Sequence, residues 1–124
     1  MRPSSLLIAL APTALASYCY PTGSATDINS ILSYYDLFCD MAVRWSPIAP
    51  GKSEFFAFQV TTTTGQSKSL LFTQHNKSTK PWYMAKAPCL SDINYIKRTC
   101  VTNGYTRGGV VDLAPGTLTV DIAE

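Results

Sequence analysis

Four cysteines, Cys19, Cys39, Cys89 and Cys100, constrain this chain more than any other feature, because what they do depends on the compartment they reach. The first sixteen residues point to that compartment. Met1-Arg2 is a minimal positive start, residues 6–16 form an apolar stretch broken only by Pro12 and Thr13, and Ala14-Leu15-Ala16 offers small residues where a signal peptidase reads. The stretch is too short to span a bilayer. Residues 1–16 are therefore expected to be a secretion signal, and cleavage after Ala16 leaves 124 − 16 = 108 residues, 17–124, as a single domain holding all four cysteines. An even cysteine count in a short exported chain reads as two disulfides. A metal site is disfavoured, since no two cysteines stand at zinc-ligand spacing and His75 is the only histidine. Neither a metal nor another cofactor is expected.

Hydrophobic periodicity supplies the elements between the cysteines. Ile28, Ile31, Leu32, Tyr35, Phe38, Cys39 and Ala42 recur every three or four residues, which predicts a helix over 26–44 with Thr26 as its N-cap. The Ser-Pro-Ile-Ala-Pro-Gly segment at 46–51 ends it. Residues 54–62 alternate Phe56, Phe58 and Val60 on one face, and a turn at 64–67 returns the chain through a second strand at 69–73. Residues 74–88 show no period and read as a long loop with a short strand near Trp82. A second helix is expected over 91–100, closed by Asn103-Gly104 as a left-handed stop. Two extended runs follow, 110–113 and 118–122, around Ala114-Pro115-Gly116. With a short first strand at 18–20, the order is strand, helix, hairpin, helix, strand. That order predicts an α+β fold, two helices on one face of an antiparallel four- or five-stranded sheet, a split β-α-β or ferredoxin-like sandwich.

The helices narrow the disulfide map. If 91–100 is helical, Cys89 and Cys100 stand about 16 Å apart, whereas a disulfide needs Cα atoms within roughly 7 Å. The local pairing falls, and two non-local pairings stay open. In a split β-α-β arrangement the end of the first helix lies beside the start of the second, which favours Cys39 with Cys89 and leaves Cys19 for Cys100.

Charge is uneven along the chain although the total is only +2. Residues 17–43 carry three acids and no bases, a balance of −3, whereas residues 44–86 carry Arg44, Lys52, Lys68, Lys77, Lys80 and Lys86 against Glu54, a balance of +5. The hairpin and the loop after it thus form a basic lobe that also holds Trp82 and Tyr83. Lysines beside an exposed aromatic make a binding surface for an acidic partner, and so small a total charge argues against a DNA binder. Catalysis has little to work with. A hydrolytic site would need His75, and its sharpest form is ribonuclease-like, with Glu54 as base and His75 as acid. Asn76-Lys77-Ser78 is the only N-glycosylation sequon, which marks Asn76 as a glycan site in a polar loop.

With an export signal, four cysteines and this element order, the chain resembles the small secreted proteins of filamentous fungi, and in particular the smut-fungus killer toxins and the plant-pathogen effectors that share their α/β-sandwich fold. The resemblance implies a secreted, extracellular, non-enzymatic protein of the host apoplast, acting as a monomer on a host or competitor protein or cell-wall component.

Overall fold

The computed structural model describes residues 17–123; the expected signal at 1–16 lies outside them. Five strands form one antiparallel sheet: β1 (Tyr18–Cys19), β3 (Ser53–Thr61), β4 (Ser67–Asn76), β7 (Gly108–Asp112) and β8 (Gly116–Ile122), in the order β1-β7-β8-β4-β3. Helices α1 (Leu32–Arg44) and α2 (Lys86–Thr99) provide the crossovers. Because every neighbouring pair is antiparallel, β1 runs parallel to β3 and β4 runs parallel to β7. Each helix therefore joins two parallel strands that have others between them, which is the split β-α-β connection. The class is α+β, as the element order implies. The last strand, β8, takes the centre of the sheet and leaves the long β3 at one edge.

Two local departures from the sequence expectation have one cause. Thr26 and Asp27 form a strand, β2 (Thr26–Asp27), not a helix start; Asp27 caps a short 3₁₀ turn (Ile28–Ser30), and α1 proper begins at Leu32. Asn103 and Gly104, expected to stop the second helix, lie beyond its end at Thr99 and both have positive φ, 53° and 83°. Asn-Gly in that conformation is the two-residue turn of a tight hairpin. It joins β5 (Val101–Thr102) to β6 (Tyr105–Thr106), and β6 pairs with β2 in a second, three-stranded sheet. Capping residues and turn residues are the same residue types, so local sequence did not separate a helix boundary from a two-residue strand. Helix α2 also starts earlier than expected, at Lys86, with Pro88 in its first turn, where a missing N–H costs nothing.

The core lies between the helices and the inner face of the five-stranded sheet. Phe72 of β4 stacks on Phe38 of α1 at 5.2 Å between ring centroids and meets Tyr35 and Phe58 edge-on. Tyr34 stacks on Phe58 at 4.4 Å. Such ring pairs contribute about 1 kcal/mol each beyond the area they bury. Tyr35 is fully buried with no hydrogen-bond partner for its hydroxyl among the described residues, and burial drives that hydroxyl's pKa far above the ordinary tyrosine value.

Disulfides fasten both halves of the chain to this core. Cys39 pairs with Cys89, tying α1 to α2, and Cys19 pairs with Cys100, tying β1 to the end of α2; no cysteine is free. Gly109 of β7 accommodates the second bridge. A Cβ at that position would lie 2.8 Å from Cys100 Sγ and 2.6 Å from the Tyr18 carbonyl oxygen, so only glycine lets β7 close on β1.

Candidate functional site

The fold divides the basic lobe in two. Lys52 precedes β3 and Lys77 follows β4, and the loop from β4 to α2 carries Lys80 and Tyr83 to the same end of the sheet, where α1 finishes at Arg44 and α2 begins at Lys86. Lys68 sits near the opposite end of the hairpin, beside Ser24, whose hydroxyl it donates to. With Arg107, Lys68 lines a cavity of about 410 Å³ walled by Ser24, Thr62, Thr63 and Thr64. Lys68 is therefore not part of the surface that sequence position alone assigned it to, since a nine-residue strand separates the two ends.

At the basic end, two of the cations are already paired. Lys77 lies 3.7 Å from Asp112, and Lys86 forms an ion pair with Asp40. Arg44, Lys52 and Lys80 are exposed and make no ion pair among the described residues. Tyr83 is 72% exposed and Trp45, which caps α1, is 59% exposed. Trp82, expected on the binding surface, is instead buried: it pairs by two backbone hydrogen bonds with Ile48 and packs into the core. The aromatic that accompanies the cations is Tyr83, joined by Trp45, which sequence reasoning did not single out. Adjacent aromatics at 82 and 83 point to opposite sides of an extended segment, and nothing local says which is inside.

Asn76 is the hub that holds this end together. Its side-chain amide donates to the carbonyls of Ile48 at 2.9 Å and Lys80 at 2.8 Å, and its side-chain oxygen accepts from the Ser78 amide and hydroxyl at 2.9 and 2.7 Å. The side chain is buried. The glycan expected at Asn76 has no access to this amide in the folded protein. Asn-Lys-Ser is used as an Asx turn, in which Asn and Ser bond to each other, and the same three residues happen to spell a sequon.

Glu54 and His75 do not form a dyad. Glu54 pairs with Gln74 and His75 with Ser53, so the two side chains leave adjacent strands on opposite faces of the sheet. His75 Nδ1 is bonded to Ser53 Oγ, and its neighbour on the other side is Thr117 of β8. A serine beside a histidine is the start of a nucleophilic site. Among the described residues no carboxylate orients this ring: Asp112, the nearest acid in the same cross-strand row, is two strands away and paired with Lys77. The ribonuclease-like arrangement thus loses its acid–base pair to strand alternation.

Among the described residues no group of three or more His, Cys, Asp or Glu is placed to hold a metal ion, and no helix is long and apolar enough to cross a membrane. Compared with family models, curated proteins and solved structures, the chain matches none.

Proposed function

We propose that this is an exported, non-enzymatic protein of the effector or killer-toxin-like kind that binds an acidic component of a host or competitor cell surface through its basic end. The observation that carries the proposal is the grouping of Arg44, Lys52 and Lys80, all exposed and without ion pairs among the described residues, with the exposed rings of Trp45 and Tyr83. Unpaired cations attract an acidic partner at a distance, and Arg, Trp and Tyr are the residue types that anchor a bound surface. The buried Asn76 network fixes the Lys80 backbone against that of Ile48, so part of this surface is pre-ordered and less side-chain entropy is lost on binding. Export is supported by the apolar leader at 6–16 and by two disulfides, which persist in oxidising compartments.

The test is adsorption of the oxidised protein to intact plant and fungal cells and to polygalacturonate beads. Combined Arg44→Ser, Lys52→Ser and Lys80→Ser should weaken retention at least about tenfold at low salt, and raising salt should weaken the wild type in the same direction. Lys97→Ser with Arg98→Ser, on the far part of α2, should leave retention unchanged. Equal retention of the triple variant and the wild type would refute the proposal.

A further inference from the structure

The β3 edge of the sheet is open. Just beyond the two ends of β3 the Thr62 amide donates to the Gln66 carbonyl and the Lys52 carbonyl accepts from the Asn76 amide, so along the strand even-numbered residues direct their backbone groups toward β4. The odd-numbered residues point away from the sheet. The Thr61 carbonyl is taken by the Thr26 hydroxyl, whereas the N–H and C=O groups of Ser53, Phe55, Ala57 and Gln59 have no partner among the described residues. Native edges are normally blunted by lysine, proline, a bulge or short length. β3 is nine residues long, has neither lysine nor proline, and carries Phe55 at 66% exposure.

A second apolar feature runs beside it. Tyr34 of α1 stacks on Phe58, and Phe38 meets Phe56 at 6.0 Å, so this part of α1 lies above the middle of β3, at Ala57. Leu37 and Met41, three and seven residues beyond Tyr34, share its flank, and Leu37 is 44% exposed. Strand edge and helix flank together make one continuous strip that is unpartnered among the described residues.

We propose that the occupant is a second copy of this chain, so that the protein is a dimer where the sequence reading expects a monomer, paired antiparallel along β3 about a two-fold axis through Ala57, giving one continuous sheet across the pair. The register is self-complementary. Ala57 meets Ala57 of the copy and Phe55 meets Gln59 twice, all odd-numbered positions with free backbone groups, which is the hydrogen-bonded pairing an antiparallel ladder requires. Phe56 falls opposite Phe58 on the helix side. Glu54, the only charge on the strand, falls opposite Val60, so no like charges meet.

The helices agree with this register. Rings of α1 touch both Phe72 of β4 and Phe56 and Phe58 of β3, which puts its axis above the β3–β4 pair. A two-fold at the β3 edge then separates the two α1 axes by about two strand spacings, ~10 Å. That is the distance of packed helices, with Leu37 facing its own copy. The interface is isologous and closed, and it carries the two basic ends away from each other.

Sedimentation velocity on the oxidised chain, from about 1 to 200 μM, tests the proposal. The wild type should sediment as a dimer at the upper concentrations. Ala57→Pro removes an N–H that faces away from β4, a substitution an edge strand tolerates, and should shift the dissociation constant at least about a hundredfold with the circular dichroism of the monomer retained. Leu37→Lys places like charges on the axis at an exposed helix position, and should weaken the dimer at least about tenfold without touching β3. A wild type that remains monomeric at 200 μM overturns the proposal, as does a dimer indifferent to both substitutions.

Discussion

Replacing Asn76 by alanine separates the two roles open to this residue. As a glycan acceptor it would be a surface appendage, and Asn76→Ala and Ser78→Ala would be equivalent, since each destroys the sequon. As the buried hub it makes four hydrogen bonds: two donated to the Ile48 and Lys80 carbonyls and two accepted from Ser78. A buried hydrogen bond contributes about 1 kcal/mol net, which sets an upper figure near 4 kcal/mol. Both carbonyls keep another donor, the Trp82 amide for Ile48 and the Ser78 hydroxyl for Lys80, so neither is orphaned and the expected loss is about 3 kcal/mol. For a domain of this size that lowers Tm by roughly 10 to 20 °C. Ser78→Ala removes one hydroxyl proton that the Asn76 side-chain oxygen and the Lys80 carbonyl share, and should cost about 1 kcal/mol. Denaturant unfolding of both variants from an oxidising bacterial compartment, where no glycan is added, gives the two numbers directly. A single value for both variants, an Asn76→Ala midpoint within about 0.5 kcal/mol of wild type, or a glycan on Asn76 of folded protein secreted by a eukaryotic host, would refute the hub.

Other expectations follow from the disulfides and from Asp92, a carboxylate whose pKa burial raises. Cys39→Ala with Cys89→Ala opens a loop of 50 residues and should lower stability by about 4 kcal/mol on the loop-entropy argument, read as a shift of the denaturant midpoint; peptide mapping of the wild type should find Cys39–Cys89 and Cys19–Cys100 and no free thiol. Burial raises the pKa of Asp92 in α2, so its charged form is disfavoured in the folded state. The sign follows: Asp92 favours folding most below its unfolded pKa near 4, and that contribution is lost as pH rises through the higher folded value. Asp92→Asn should therefore raise Tm at pH 7 and leave it unchanged near pH 3, and an equal shift at both would remove burial of the charge as the cause.

What the sequence made legible, and what it hid, divide along the range of the forces involved. The period of apolar residues at 28–42 and 54–72 answers to burial against the core, a strong and regular demand, and α1, β3 and β4 follow it. The cysteine pairing was accessible for the same reason, because a helix of known rise excludes one of three maps. The basic surface was half legible: composition located the cations, but whether a cation stays free depends on acids brought from elsewhere in the chain, Asp112 to Lys77 and Asp40 to Lys86. Asn76, Trp82 and the Glu54–His75 pair share a further obstacle. Each reading turned on which side of an extended segment a side chain takes, and in a strand one residue of register reverses the answer. Glu54 and His75 lie one register step from sharing a face, and that single step replaces a hydrolytic pair with a histidine bonded to Ser53 and an acid on the helix side of the sheet. The register of β3 on β4 therefore sets both which side chains share a face of the sheet and which backbone groups β3 turns toward its edge.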